Sequence, residues 1–154
     1  LSYHEGTVWP HDNALIARGM ARYGLQRGVG QIFEGLLAAL ETFRDHRLPE
    51  LFCGMSRSSG VLVRYPVACS PQAWASAAPY LLIQSALGIS VDAPRRRLLV
   101  RDPFLPEGLD RIVIERLRVG DARVSLRVER EGGRCHVDVL EIEGGEVRTC
   151  IELG

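Results

Sequence analysis

No apolar run in this sequence approaches the ~20 residues needed to cross a bilayer. The longest candidate, "APYLLIQSALGI", is short and sits mid-chain. Nothing near Leu1 has the pattern of a signal peptide. Charge of one sign is also missing: 19 Lys and Arg stand against 19 Asp and Glu, and the basic residues cluster only at Arg95-Arg96-Arg97. Nucleic-acid binding needs a positive face, so that class is set aside and the triplet reads as a solvated strand entry. Cys53, Cys69, Cys135 and Cys150 show no CxxC spacing, which argues against a zinc site. In a hairpin turning at Gly144-Gly145, Cys150 falls nearer Val139 than Cys135, so the obvious disulfide is out of register. Reduced, buried thiols in a cytoplasmic protein are the expectation. "GVG" at 28–30 has neither a preceding strand nor a third glycine, so it is not a dinucleotide fingerprint. There is no phosphate loop and no Gly-x-Ser-x-Gly elbow. His4, His11, His46 and His136 are too scattered for a metal, so no metal or cofactor is expected.

What is present is an ordinary globular composition, 46% hydrophobic and 25% charged over 154 residues, which excludes disorder. The apolar period divides the chain in two. Up to Asp92 it is helical. Pro10 opens a helix whose apolar side includes Leu15, Ile16, Met20 and Tyr23, with Gly24 placed to end it. A second helix, Gly28 to Asp45, repeats Val29, Ile32, Phe33, Leu36, Leu37, Leu40 and Phe43 every three or four positions. A long Gly-, Ser- and Pro-rich stretch follows, and loops of that length are usually functional. The third helix has Ser70 to cap it, Pro71 in its first turn, Pro79 to kink it and Gly88 to end it. Beyond Asp92 the period becomes two. "RIVIERLRV", "ARVSLRVER", "CHVDVLEI" and "EVRTCIEL" read as strands joined by turns at Gly120-Asp121, Gly132-Gly133 and Gly144-Gly145. The expected organisation is a helical region, 1–92, and an antiparallel β domain, 93–154.

The chemistry is crowded at the start. "YHEGTVWPHDN" carries Tyr3, His4, Glu5, Trp9, His11, Asp12 and Asn13 within eleven positions. Asp12 and Asn13 fall in a first helical turn, where polar groups commonly cap free amides. Capping does not account for the aromatic rings and imidazoles around them. An aromatic plate flanked by carboxylates, amides and imidazoles suits a sugar, whose apolar face stacks on a ring while polar groups take its hydroxyls. Glu50, in "LPELFCG", stands among apolar neighbours at the mouth of the long loop. It is either a surface residue or a carboxylate partly withdrawn from water, as proton transfer prefers. Gln72 and Trp74 follow the same loop and can face the same cavity, although core packing is the commoner fate of a helical Trp.

The segments "YHEGTVWPHDNALIARGMARYG", "LPELFCG" and "YPVACSPQAWASAAPYLLIQSALGI", in that order, resemble the C-terminal end of amylo-alpha-1,6-glucosidase (glycogen-debranching-like) glycoside hydrolases. "DPFLPEGLDRIVIERLRVGDARVSLRV" is similar to the small β domain that ends many members. Glu5 departs from the pattern, where Asn is commoner. The resemblance implies an α+β chain: three helices from the end of an (α/α)6 barrel, then a small antiparallel β domain. It implies that Glu50 is a general base activating water, with the general acid upstream and substrate contacts from Tyr3, His4, Glu5, Trp9, His11, Asp12, Asn13, Gln72 and Trp74. The chain is then expected to be a fragment, inactive alone, acting in the whole enzyme on α-linked glucose oligomers or a glycogen-like polymer. Carbohydrate is the expected partner, with no nucleic acid and no membrane, and exposed helix faces would favour a homo-oligomer or swapped dimer. The alternatives are an α-L-rhamnosidase-like hydrolase, a non-catalytic carbohydrate-binding module, and an assembly domain whose singled-out residues are caps and core.

Overall fold

The computed structural model describes residues 2–43, 45–56, 58 and 60–153. Among them the chain forms three helices and eight strands: β1 (Thr7–Val8), α1 (Pro10–Arg22), α2 (Gln26–Thr42), β2 (Phe52–Cys53), α3 (Ala73–Ala86), β3 (Ile89–Asp92), β4 (Arg97–Arg101), β5 (Arg111–Val119), β6 (Ala122–Glu131), β7 (Arg134–Glu143) and β8 (Arg148–Glu152). The strands make three small sheets, β1-β2, β3-β4-β8 and β5-β6-β7. This is a mixed α+β fold, and it corrects the expectation of an (α/α)6 barrel end. A barrel of that kind is built of helix next to helix. Here a β ribbon ties the segment before α1 to the segment after α2, with Thr7 opposite Cys53 and Val8 opposite Phe52. The chain divides into two compact units, Leu1–Ile83 and Gln84–Gly154.

In the first unit α1 and α2 pack against each other. Pro10 starts α1, as expected, since its missing N–H costs nothing there. The buried side of α1 is not the predicted one. Pro10, Ala14 and Ala17 are buried, while Leu15, Ile16 and Tyr23 stay exposed. Small residues let two helix backbones approach closely, and the larger apolar side chains are left outside. On α2 the apolar period predicts part of the core: Val29, Phe33, Leu36 and Phe43 are buried, whereas Ile32, Leu37 and Leu40 are only half-buried and Ala39, outside the predicted stripe, is buried with Leu48 and Leu51. The helix ends at Thr42, short of the expected Asp45; Arg44 lies outside the described residues. The long loop doubles back on β2. Cys53 N–H donates to the Val63 carbonyl at 2.9 Å, Phe52 bridges Arg64, and the Arg64 guanidinium lies 4.9 Å from the Phe43 ring centre. Gly54 N–H meets the Gly6 carbonyl at 2.8 Å, in a space where any Cβ on Gly54 would stand 2.7 Å from that oxygen. The thiols do not share one environment: Cys53 is buried as expected, whereas Cys69, in the loop, is exposed.

Helix α3 is capped by Gln72 rather than Ser70. The Gln72 side-chain oxygen accepts the Ala75 N–H at 3.2 Å, and its carbonyl accepts the Ser76 N–H and hydroxyl. The helix runs unbroken through Pro79. Gly88 ends it in the left-handed region, pressed so closely on the Arg101 backbone that no side chain fits.

In the second unit β5, β6 and β7 form an antiparallel meander with turns at Gly120-Asp121 and Gly132-Gly133. Gly144-Gly145 does not continue it. β8 leaves the meander and pairs in parallel with β4, setting Cys150 opposite Leu99. The expected all-antiparallel sheet is therefore two sheets, one of them mixed. Leu98 and Val100 from the first, and Val124, Leu126 and Val128 from the second, supply the buried apolar side chains along with Leu105. Buried Ser125 meets a β-bulge, accepting the Arg116 N–H at 3.1 Å. The Arg130 guanidinium bonds the carbonyls of Leu105, Pro106 and Leu109, fixing the loop ahead of β5.

Candidate active site

The β1–β2 ribbon brings the N-terminal segment beside the loop that carries Glu50. Two backbone-linked contacts hold Glu50 itself: its N–H donates to the Cys69 carbonyl at 2.8 Å, and its Oε2 accepts the Cys69 N–H at 3.3 Å. The Tyr3 phenol is pushed up to about 12, by hydrogen bonding with Glu50 first, then by withdrawal from water and by the Glu50 charge, with Cys69 and Tyr65 adding less. Glu50 is half-buried, beside buried Leu48, Pro49, Leu51 and Phe52.

Around this carboxylate stands a set of rings. Tyr3 meets His4, Trp9 and Tyr65 edge-on, at centroid separations of 4.9, 5.2 and 5.7 Å. His4 lies parallel to Trp9 at 5.6 Å. His11 stands edge-on to Trp9 at 5.7 Å and tilted against Trp74 at 4.9 Å. Thr7 Oγ1 links two of these residues, donating to the Tyr3 carbonyl at 2.9 Å and accepting the Trp9 indole N–H at 3.1 Å. Trp74 is 66% exposed, so one ring at the end of the series faces solvent rather than the core.

The sequence-predicted residues thus separate. Tyr3, His4, Trp9, His11, Trp74 and Glu50 form one connected group. Asp12 belongs to its edge, 3.2 Å from His11 Nε2. Asn13 does not cap free amides; its side-chain N–H donates to the Trp9 carbonyl at 2.9 Å. The Gln72 oxygen is committed to starting α3. The exposed Glu5 side chain takes part in none of these contacts; its backbone closes a turn with Ser2. Thr7, Tyr65 and Cys69 complete the site without having been predicted. Thr7 lies inside the quoted motif, but nothing in its spacing marks it, and Tyr65 and Cys69 sit in the long loop, which has no period to read.

His11 Nδ1 is buried and has no hydrogen-bond partner among the described residues. A buried ring nitrogen beside an exposed indole is a suitable contact for a ligand hydroxyl. Among the described residues no group of three or more His, Cys, Asp or Glu is placed to hold a metal ion. No described helix is long and apolar enough to cross a membrane. A cavity of about 470 Å³ also lies in this unit, lined by residues that include Val8, Asn13, Ile32, Leu36, Phe52 and Met55. Neither Glu50 nor any of the clustered rings lines it, so its apolar wall lacks the proton-transfer group that the ring cluster has. No known protein family matches the chain, and no curated protein matches it.

Proposed function

We propose that Glu50 is the general base of a glycoside hydrolase of the amylo-alpha-1,6-glucosidase type, acting on α-linked glucose oligomers or a glycogen-like polymer. The observation that carries this reading is the placement of a hydrogen-bonded carboxylate at the edge of a ring cluster that ends in a solvent-facing indole. Apolar sugar faces stack on rings of this kind. In this reading Glu50 takes a proton from water as the water oxygen attacks the anomeric carbon, while an acid protonates the departing glycosidic oxygen. Inversion places the two carboxyl groups roughly 6.5–9.5 Å apart. Asp12 is engaged with His11, so the proton donor is assigned to another segment of the polypeptide, and the chain alone is proposed to be inactive.

The same reading gives carbohydrate as the partner and assigns none to nucleic acid or membrane. It places the protein in the cytoplasm, supported by four unpaired thiols, Cys53, Cys69, Cys135 and Cys150. Exposed Leu15, Ile16, Tyr23 and Leu25 support self-association or a swapped dimer.

The test is Glu50→Gln in the native polypeptide, assayed on an α-linked gluco-oligosaccharide. Turnover should fall by roughly 10²–10⁴, the range for loss of a positioned acid or base, with sugar affinity retained. Normal turnover would remove Glu50 from the chemistry. Sugar binding without turnover in either form would instead favour a carbohydrate-binding module, the reading that exposed Trp74 supports on its own.

A further inference from the structure

The cavity of the first unit lies apart from the ring cluster, and its lining has a chemistry of its own. We propose that it is a second binding site, for an uncharged, mostly apolar molecule that carries one N–H or O–H donor. Its occupancy does not depend on Glu50 acting as a base.

The hollow follows from the sequence of α2. Ile32, Gly35, Leu36, Ala39 and Thr42 recur at three- and four-residue spacing, so they share one helix face. Large side chains on that face would fill the space, but Gly35 and Ala39 stand at its middle. Across from them the ribbon contributes Val8 and Phe52, and the loop contributes Met55 and Val61. The space left between is about 470 Å³, within the range of roughly 300–1,000 Å³ usual for small-molecule sites. Packed interiors leave few voids larger than a water molecule, so this one is not ordinary packing. Buried Leu36, Ala39 and Phe52 form an apolar floor, while Met55 and Val61, 50% and 67% exposed, stand at the mouth.

The polar groups decide what kind of molecule fits. Among the described residues no charged side chain lines the cavity, so an ionised ligand would lose water and gain no partner. The donors are largely spent on the protein. Thr42 Oγ1 donates to the Ala39 carbonyl at 2.7 Å, the Asn13 side-chain nitrogen to the Trp9 carbonyl at 2.9 Å, and the Cys53 thiol to the Arg64 carbonyl at 3.9 Å. Thr42 and Cys53 are left with lone pairs alone, and Asn13 with its oxygen and one N–H. Helix α2 also ends at Thr42, and the last carbonyls of a helix carry partial negative charge. Acceptors on the wall favour a donor on the ligand, and they disfavour a carboxylate, sulfonate or phosphate.

Phenylnaphthylamine, a neutral fluorophore with one N–H that brightens in apolar surroundings, tests the site on the native polypeptide. It should bind one to one. Gly35 lines the cavity and a Cβ added there meets nothing within 4 Å, so the side chain of Gly35→Leu has only the hollow and its mouth to occupy. That variant should weaken the probe by about tenfold or more, because the space is taken. Its unfolding midpoint should hold or rise, since a helix interior favours Leu over Gly. Gly19→Leu, equally unhindered on α1 and outside the cavity, should bind the probe as the parent does. Diphenylamine should displace the probe roughly two- to tenfold better than diphenylmethane, its near-isostere without the N–H, as one neutral hydrogen bond allows. Unchanged binding in Gly35→Leu would overturn the site. Equal displacement by the two competitors, or equal affinity for the anionic anilinonaphthalene sulfonate, would overturn the ligand class. A parent that binds no probe would also overturn the site; if that parent dimerises and Gly35→Leu does not, the hollow is a contact between copies instead.

Discussion

Gly54 and Gly6 face each other backbone to backbone, the amide of one donating to the carbonyl of the other across 2.8 Å. A methyl group on Gly54 would stand 2.7 Å from that carbonyl oxygen, and backbone cannot swing aside as a flexible side chain can. Gly54→Ala is expected to cost about 1–3 kcal/mol, the usual range for overpacking. Gly19, mid-helix in α1 with nothing within 4 Å of an added Cβ, provides the contrast. Gly19→Ala should stabilise by roughly 0.5–1 kcal/mol. Urea midpoints of the two variants, measured side by side, check both signs.

The inverted face of α1 gives a second test. Leu36 is buried to 4% exposure and Leu15 is 60% exposed. Leu36→Ala is expected to cost about 2–5 kcal/mol, whereas Leu15→Ala should fall within about 0.5 kcal/mol of the parent. Equal losses at the two positions would show that Leu15 is covered in solution. In that case Leu15→Glu should also shift the protein toward monomer in sedimentation, as the proposed self-association requires.

Acid should act on the β4–β8 pairing. Arg101 Nε lies 2.5 Å from Glu152 Oε2, and this hydrogen bond, ahead of the guanidinium charge itself, holds the Glu152 carboxyl below its ordinary value. Asp92 is lowered in the same way by Arg95. A carboxyl lowered in the folded state lends stability at neutral pH. That contribution is complete above the ordinary carboxylate value of about 4.3 and is lost as pH falls through the lowered folded value. Glu152→Gln should therefore flatten the fall in the unfolding midpoint as pH drops below the ordinary carboxylate value. Both side chains are about half exposed, so added salt should shrink the difference.

Trp74→Ala separates stability from recognition. With its ring 66% exposed, the substitution should leave the unfolding midpoint nearly unchanged. In the proposed sugar-binding role, affinity for a linear gluco-oligosaccharide drops roughly two- to tenfold in the variant, the equivalent of about 0.5–1.5 kcal/mol of ring stacking. Titration calorimetry on the parent and the variant measures it.

Local signals are legible in the sequence where a residue's neighbours along the chain decide its state. The alternation of β5 to β7, the start of α1 at Pro10 and the Val29, Phe33 and Leu36 part of the α2 stripe are of this kind. Pairing partners are not legible, because nothing in "TV" or "FC" announces that Thr7–Val8 will meet Phe52–Cys53. Cys150 shows the same gap: the turn glycines before it suggest a hairpin, yet its strand finds Leu99 in parallel. The side of α1 that packs does not follow from apolar size, since Ala14 and Ala17 permit the closer approach. At the site, the crowding of Tyr3, His4, Trp9 and His11 is visible along the chain, but the pairing that ties their segment to the one after Glu50 is not.

The ribbon that ties the segment before α1 to the segment after Glu50 is two residues long on each side. Pairings so short open far more readily than the helices they accompany. When Thr7 and Val8 part from β2, the α1–α2 contact is made elsewhere, but the segment carrying Tyr3 loses its backbone tie to the strand after Glu50. That is a local opening equilibrium, separate from global unfolding. The Gly54 amide proton, bonded to the Gly6 carbonyl beside the ribbon, should exchange on a faster clock than those of Phe33 and Leu36. Mild denaturant should speed that exchange while the helical signal of the molecule is still intact.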